Sequence, residues 1–125
     1  SGFATNETFG NGEYYQNFYN CFQLKVLSGL PWNAANDSGD YSGTFTNVRN
    51  LAHIGFPGSP SDETGFSQSV SLRYMPFTRE ECVNIFEYLV TTSGKTITLT
   101  NNNFADDLTS DELAIATNKG WTVSR

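Results

Sequence analysis

Apolar residues recur along the chain in a fixed order. Phe18, Cys21, Leu24 and Leu27 are followed by Phe45, Val48, Leu51 and Ile54, and these by Phe66, Ser69, Leu72 and Met75. The shared template is Phe, two residues, a small residue, two residues, Leu, two residues, and a second large apolar residue. Repetition of this kind outranks local propensity, because each copy buries its apolar face only against its neighbours. Each copy is closed by a proline: Pro31, Pro57 and Pro76. The pattern predicts short strands over 24–27, 51–56 and 72–75. The polar stretches 32–43 and 58–65 read as loops. Residues 1–17, with Phe3, Phe9, Tyr14 and Tyr15, read as an N-terminal cap or a partial leading repeat.

After Pro76 the rhythm changes. Thr78 and Glu81 have the spacing of a capping box. Cys82, Ile85, Phe86 and Leu89 follow at i, i+3, i+4, i+7, the apolar stripe of an amphipathic helix that ends over 91–94. Residues 95–100 (KTITLT) alternate, with Ile97 and Leu99 on one face, and predict a strand. Thr109 and Glu112 make a second capping box ahead of a short helix through Leu113, Ala114 and Ile115, and Gly120 sits where a C-cap glycine belongs. Residues 121–123 predict a last strand. Aligning Leu27, Ile54, Met75, Ile97 and Trp121 gives successive spacings of 27, 21, 22 and 24 residues. Most of these lie in the leucine-rich-repeat range of roughly 20–29.

The copies FYNCFQLKVLSGLP, FTNVRNLAHIGFP and FSQSVSLRYMPF resemble the BspA-like leucine-rich repeats of bacterial surface proteins. Asn20-Cys21 matches that family's Asn-Cys pair, whereas Val48 and Ser69 stand in the Cys place of the next two copies. The tail from Lys95 onward is similar to the C-terminal end of such arrays. The resemblance covers roughly residues 15–125. It implies an α/β fold: a right-handed solenoid with a parallel sheet of about five short strands and helices in the C-terminal repeats. The chain divides into one domain, 1–125, with repeats at 18–44, 45–65, 66–93 and 94–125 behind the 1–17 cap. The implied role is a non-enzymatic, extracellular or cell-surface protein-interaction or adhesion module of a gut-type bacterium. Two other roles stand beside it, a phage tail or virion component that binds a host surface and a structural capping segment of a longer array. The expected partner is a protein or a surface glycan of a host or neighbouring cell.

Composition narrows this further. Charged residues make up 16% of the chain and the formal net charge is −6, with no basic cluster along the sequence. Nucleic acid and anionic membrane surfaces are therefore not expected partners. No run of about 18 apolar residues marks a membrane span. No signal peptide opens the chain, and Ser1-Gly2 reads as a remnant or a processed start. Cys21 and Cys82 read as small buried thiols, with a disulfide as the other reading.

In a strand of this template the intervening side chains face outward. With Ile54 and Phe56 inward, the expected binding ladder is Val26, His53, Tyr74, Thr96 and Thr122, with Trp32 as a loop contact. Phe18, Phe45 and Phe66 read as a stacked aromatic spine. His53 is the only histidine, and neither a catalytic set nor a metal site can be built around it. Asp37, Asp40, Asp62 and Glu63 read as solvated turn acids, and Asp106 and Asp107 as charges favourable near a helix start. No catalytic residue, metal or cofactor is expected.

Overall fold

A computed structural model describes residues 24–28, 45, 48–102 and 105–125. Along them run β1 (Val26–Leu27), β2 (His53–Ile54), β3 (Val70–Ser71), α1 (Arg79–Tyr88), β4 (Lys95–Thr98), α2 (Ser110–Thr117) and β5 (Trp121–Ser124). The strand pairings are parallel and fall into two small sheets, β1-β2 and β3-β4-β5. Parallel neighbours need a long crossover. Here α1 lies in the crossover between β3 and β4, and α2 in the one between β4 and β5.

The template accounts for the core. Phe45, Val48, Leu51, Ile54, Phe66, Leu72 and Met75 are all buried. The Phe45 and Phe66 rings meet edge to face at 6.2 Å, Phe56 meets Phe66 at 5.9 Å, and Phe56 stacks on Tyr88 at 5.1 Å. Aromatic pairs favour such offset and edge arrangements, so the Phe45 and Phe66 positions of the spine do pack across copies. Over them α1 lays Cys82, Ile85 and Phe86, and its C-cap Leu89 completes the predicted stripe, with none of the four in contact with solvent. Burying side chains of this size contributes roughly 1.5–3 kcal/mol each.

The register of the third strand departs from the sequence expectation. The pattern places a strand over 72–75 and aligns Met75 with Ile97. In the structure β3 is Val70–Ser71, and Ile97 lies opposite Val70. Leu72 N donates to Thr98 O at 2.8 Å, which sets Leu72 at the level of Leu99. The chain thus advances 27 residues from Val26 to His53, 27 from Val70 to Ile97 and 26 from Ile97 to Val123. The level of Met75 in the next unit is filled by Asn102, not by an apolar residue. Its side chain is buried, and Nδ2 donates to Leu72 O at 2.7 Å and to Leu99 O at 2.9 Å. A polar residue in an apolar place breaks the hydrophobic pattern while keeping the fold.

The expected continuous sheet of about five strands is also corrected, and α1 is the reason. In a parallel ladder alternate residues bond to opposite sides. Gly55 N donates to Leu27 O at 2.7 Å, which leaves the amide and carbonyl of Ile54 pointing away from β1. Ile54 N donates to Glu81 Oε2 at 3.1 Å, and Asn84 Nδ2 donates to Ile54 O at 3.0 Å. Two helix side chains therefore occupy the place of a third strand. Covered edges of this kind do not recruit further strands.

Glu81 consequently completes only half of the expected capping box. Thr78 Oγ1 accepts from Glu81 N at 3.1 Å, but the carboxylate turns to β2 instead of to Thr78. The second box is complete, with Thr109 N donating to Glu112 Oε1 at 2.8 Å and Glu112 N donating to Thr109 Oγ1 at 3.1 Å. Glu112 also accepts from Arg79 Nη2 at 3.0 and 3.1 Å. The Thr109 amide first, and Arg79 second, hold its carboxyl below the usual range. The far end of α1 carries no basic residue of its own. Lys119 supplies the cation, donating to Glu87 O at 2.6 Å and Leu89 O at 3.1 Å, where positive charge suits the helix dipole. Glu63 is more than a solvated turn acid. It is half-buried, and its carboxylate accepts from Thr91 Oγ1 at 2.6 Å and Thr91 N at 3.0 Å, which lowers its pKa.

Cys82 is a free, buried thiol. Burial, with lesser contributions from Glu81 and Glu112, pushes it from 9.0 up to about 12. In native protein the Cys82 peptide is expected to stay unalkylated by iodoacetamide and to react once urea unfolds the chain, as read by peptide mass. Between those two pKa values the unfolded chain gives up this proton and the folded chain keeps it. Its stabilising effect is therefore full below pH 9.0 and lost as pH rises. Denaturant titrations are expected to show about 1 kcal/mol more loss of stability in the wild type than in Cys82→Ala from about pH 8 to about pH 10.

Candidate recognition surface

The surface of interest begins at Arg73-Tyr74-Met75. Leu72 and Met75 are buried on either side, so the two intervening side chains are turned to solvent. Tyr74 has φ +63°, in the left-handed region. That region costs a residue with a Cβ roughly 1–2 kcal/mol. The amide of Tyr74 donates to Thr100 O at 3.3 Å, which ties this turn to the chain beyond β4. Tyr74 stays 44% exposed, one of the few exposed large hydrophobic residues among those described.

Two guanidinium groups lie close to the Tyr74 ring. The Arg49 carbon lies 4.8 Å from the ring centroid and the Arg73 carbon 5.4 Å. A guanidinium over an exposed aromatic face contributes roughly 0.5–1 kcal/mol. Among the described residues the ion pairs are His53–Glu81 and Arg79–Glu112, so neither Arg49 nor Arg73 is matched with a carboxylate. Both are exposed. In a chain of net charge −6 this is a locally cationic, aromatic patch. Planar guanidinium forks bind carboxylate and sulfate-type anions through paired hydrogen bonds.

The expected ladder divides among three places. Val26, 55% exposed, lies opposite His53 in the first sheet. His53 is half-exposed, with Nδ1 2.7 Å from Glu81 Oε1, while the Glu81 side chain is only 10% exposed. Both oxygens of that carboxylate are engaged, one by His53 and one by Ile54 N. The pair therefore orients the imidazole and anchors β2 to α1. Thr96 lies opposite Thr122 in the second sheet, and Thr96 N donates to Ser69 Oγ at 3.0 Å. Ser69, not Tyr74, accordingly stands beside Thr96. The reason is the register: Tyr74 lies beyond β3 in a left-handed turn, off the strand to which the pattern assigns it. Trp32, Asp37, Asp40, Cys21 and Phe18 lie outside the described residues.

Arg49, Arg73 and the second role of Glu81 are absent from the sequence reading. Arg49 and Tyr74 are far apart in the chain, and no linear charge cluster marks them. The available signal was the template itself, which brings neighbouring copies together and places both arginines beside buried positions. Among the described residues no group of three or more His, Cys, Asp or Glu is arranged to hold a metal ion. None of their helices is long and apolar enough to cross a membrane. Comparison with protein-family models, curated proteins and solved structures finds no match.

Proposed function

We propose that the chain is a non-enzymatic recognition or adhesion module, a leucine-rich-repeat-type right-handed solenoid acting outside or on the surface of a bacterial cell. It binds a protein or a surface glycan of a host or neighbouring cell by non-covalent contact. The observation that carries this reading is Tyr74, an exposed residue on a strained backbone whose ring has two guanidiniums without carboxylate partners against it. Strained, exposed non-glycine residues gather at ligand sites, and Tyr and Arg are enriched at interfaces. Parallel rungs that recur every 26 or 27 residues support the repeat architecture.

The test is a binding screen against immobilised matrix proteins and surface glycans. Tyr74→Ala is expected to weaken the interaction found by at least about tenfold. Its unfolding midpoint is expected to move little, because the ring is on the surface. A screen without any ligand, or a ligand held equally well by Tyr74→Ala, would overturn the proposal.

A further inference from the structure

We infer that the Tyr74 face takes an anionic saccharide, whose carboxylate or sulfate groups pair with Arg49 and Arg73. This rests on the reading of the chain as a recognition module and names its ligand class. Three observations converge on it. The two guanidiniums lie against one ring, at 4.8 and 5.4 Å from its centroid. Their carbons are therefore within about 10 Å of each other, a separation that anionic groups on nearby sugars of one chain can bridge. Neither arginine has a carboxylate partner, so no internal ion pair has to be broken before a ligand binds. Stacking on the ring also limits the motion of both side chains, which lowers the ordering cost of binding.

The described surface beside Tyr74 fits a saccharide better than a protein. Protein interfaces draw their affinity from buried apolar and aromatic anchors. Among the described residues only Val26 and Tyr74 are exposed large hydrophobics. Val26 lies in the first sheet, away from Tyr74, and the residue beside Arg49, Asn50, is exposed and polar. Affinity on such a face has to come from charge and hydrogen bonds, the contacts that an acidic sugar chain offers. The chain as a whole carries a net charge of −6, so attraction of an anion relies on local cations such as these and falls with added salt.

The experiment measures binding of the full chain to four probes at low salt: hyaluronate for carboxylate, heparin for sulfate, uncharged dextran and poly-glutamate. The expected result is binding to hyaluronate, heparin or both, and none to dextran. Arg49→Gln and Arg73→Gln are each expected to lose about tenfold, and the double variant more. Arg125→Gln, which removes the same charge elsewhere, is expected to bind as the wild type. Comparison of the first two probes separates carboxylate from sulfate as the group recognised. The inference is overturned if the double variant keeps wild-type affinity, if poly-glutamate binds as tightly as the saccharides, or if neither acidic saccharide binds. Where one of those results accompanies a Tyr74-dependent ligand from the broader screen, the saccharide assignment falls and the recognition reading stands. Where no ligand of any class binds, both fall.

Discussion

Gly120→Ala is expected to cost about 3 kcal/mol or more of stability, the sum of left-handed strain and a backbone clash. Gly120 has φ +91°, two residues past the Asn118 cap of α2, and a Cβ there would land inside the carbonyl oxygen of Thr92. That oxygen cannot step aside, because the two segments are laced together. Thr92 N donates to Lys119 O at 2.8 Å, and Trp121 Nε1 donates to Val90 O at 2.8 Å. Lys119 also reaches back to the last carbonyls of α1. Moving Gly120 therefore loosens β5 and the end of α1 together. Gly94→Ala provides the contrast. Gly94 has φ +71° but nothing lies within 4 Å of its added Cβ, so strain alone remains, roughly 1 kcal/mol. Urea titration followed by circular dichroism compares the two, and equal losses would contradict the close approach at Thr92.

Glu81→Ala is expected to cost about 2–4 kcal/mol, and Glu81→Gln about half as much. The carboxylate is nearly buried, and it is both the partner of His53 and the acceptor for Ile54 N. Alanine leaves that amide without its bond on the closed side of β2. Glutamine keeps an acceptor oxygen but loses the charge that strengthens both contacts. Hydrogen exchange supplies a local readout. The Ile54 amide is expected to exchange faster in Glu81→Ala, whereas the amide of Ile97, in the other sheet, changes only with global stability. Unchanged protection at Ile54 would contradict the role of α1 as the cover of that edge.

Much of the core was legible because it follows apolar spacing. Phe45, Val48, Leu51 and Ile54, and the stripe that runs along α1 to its C-cap Leu89, are buried as their periodicity predicts. Capping chemistry was legible at Thr109 and Glu112, whose four-residue signature is wholly local. At Thr78 and Glu81 the same signature holds by half: Thr78 caps the Glu81 amide, but a β2 amide takes the carboxylate. Register was lost where Asn102 replaces an apolar residue and satisfies two backbone carbonyls instead. The cationic patch has no linear signature, because Arg49 and Tyr74 meet only through folding and the overall charge is negative. Side-chain bonds between distant segments set these departures, and no local pattern encodes them.

The direct measurement is arginine footprinting with a phenylglyoxal reagent, with and without the acidic saccharide, read by peptide mass. Arg49 and Arg73 are expected to be protected together by the ligand, with Arg79 and Arg125 modified to the same extent in both conditions. Ligand-independent modification of Arg49 and Arg73, or protection centred on Arg79 or Arg125, would contradict the placement of the recognition site at Tyr74.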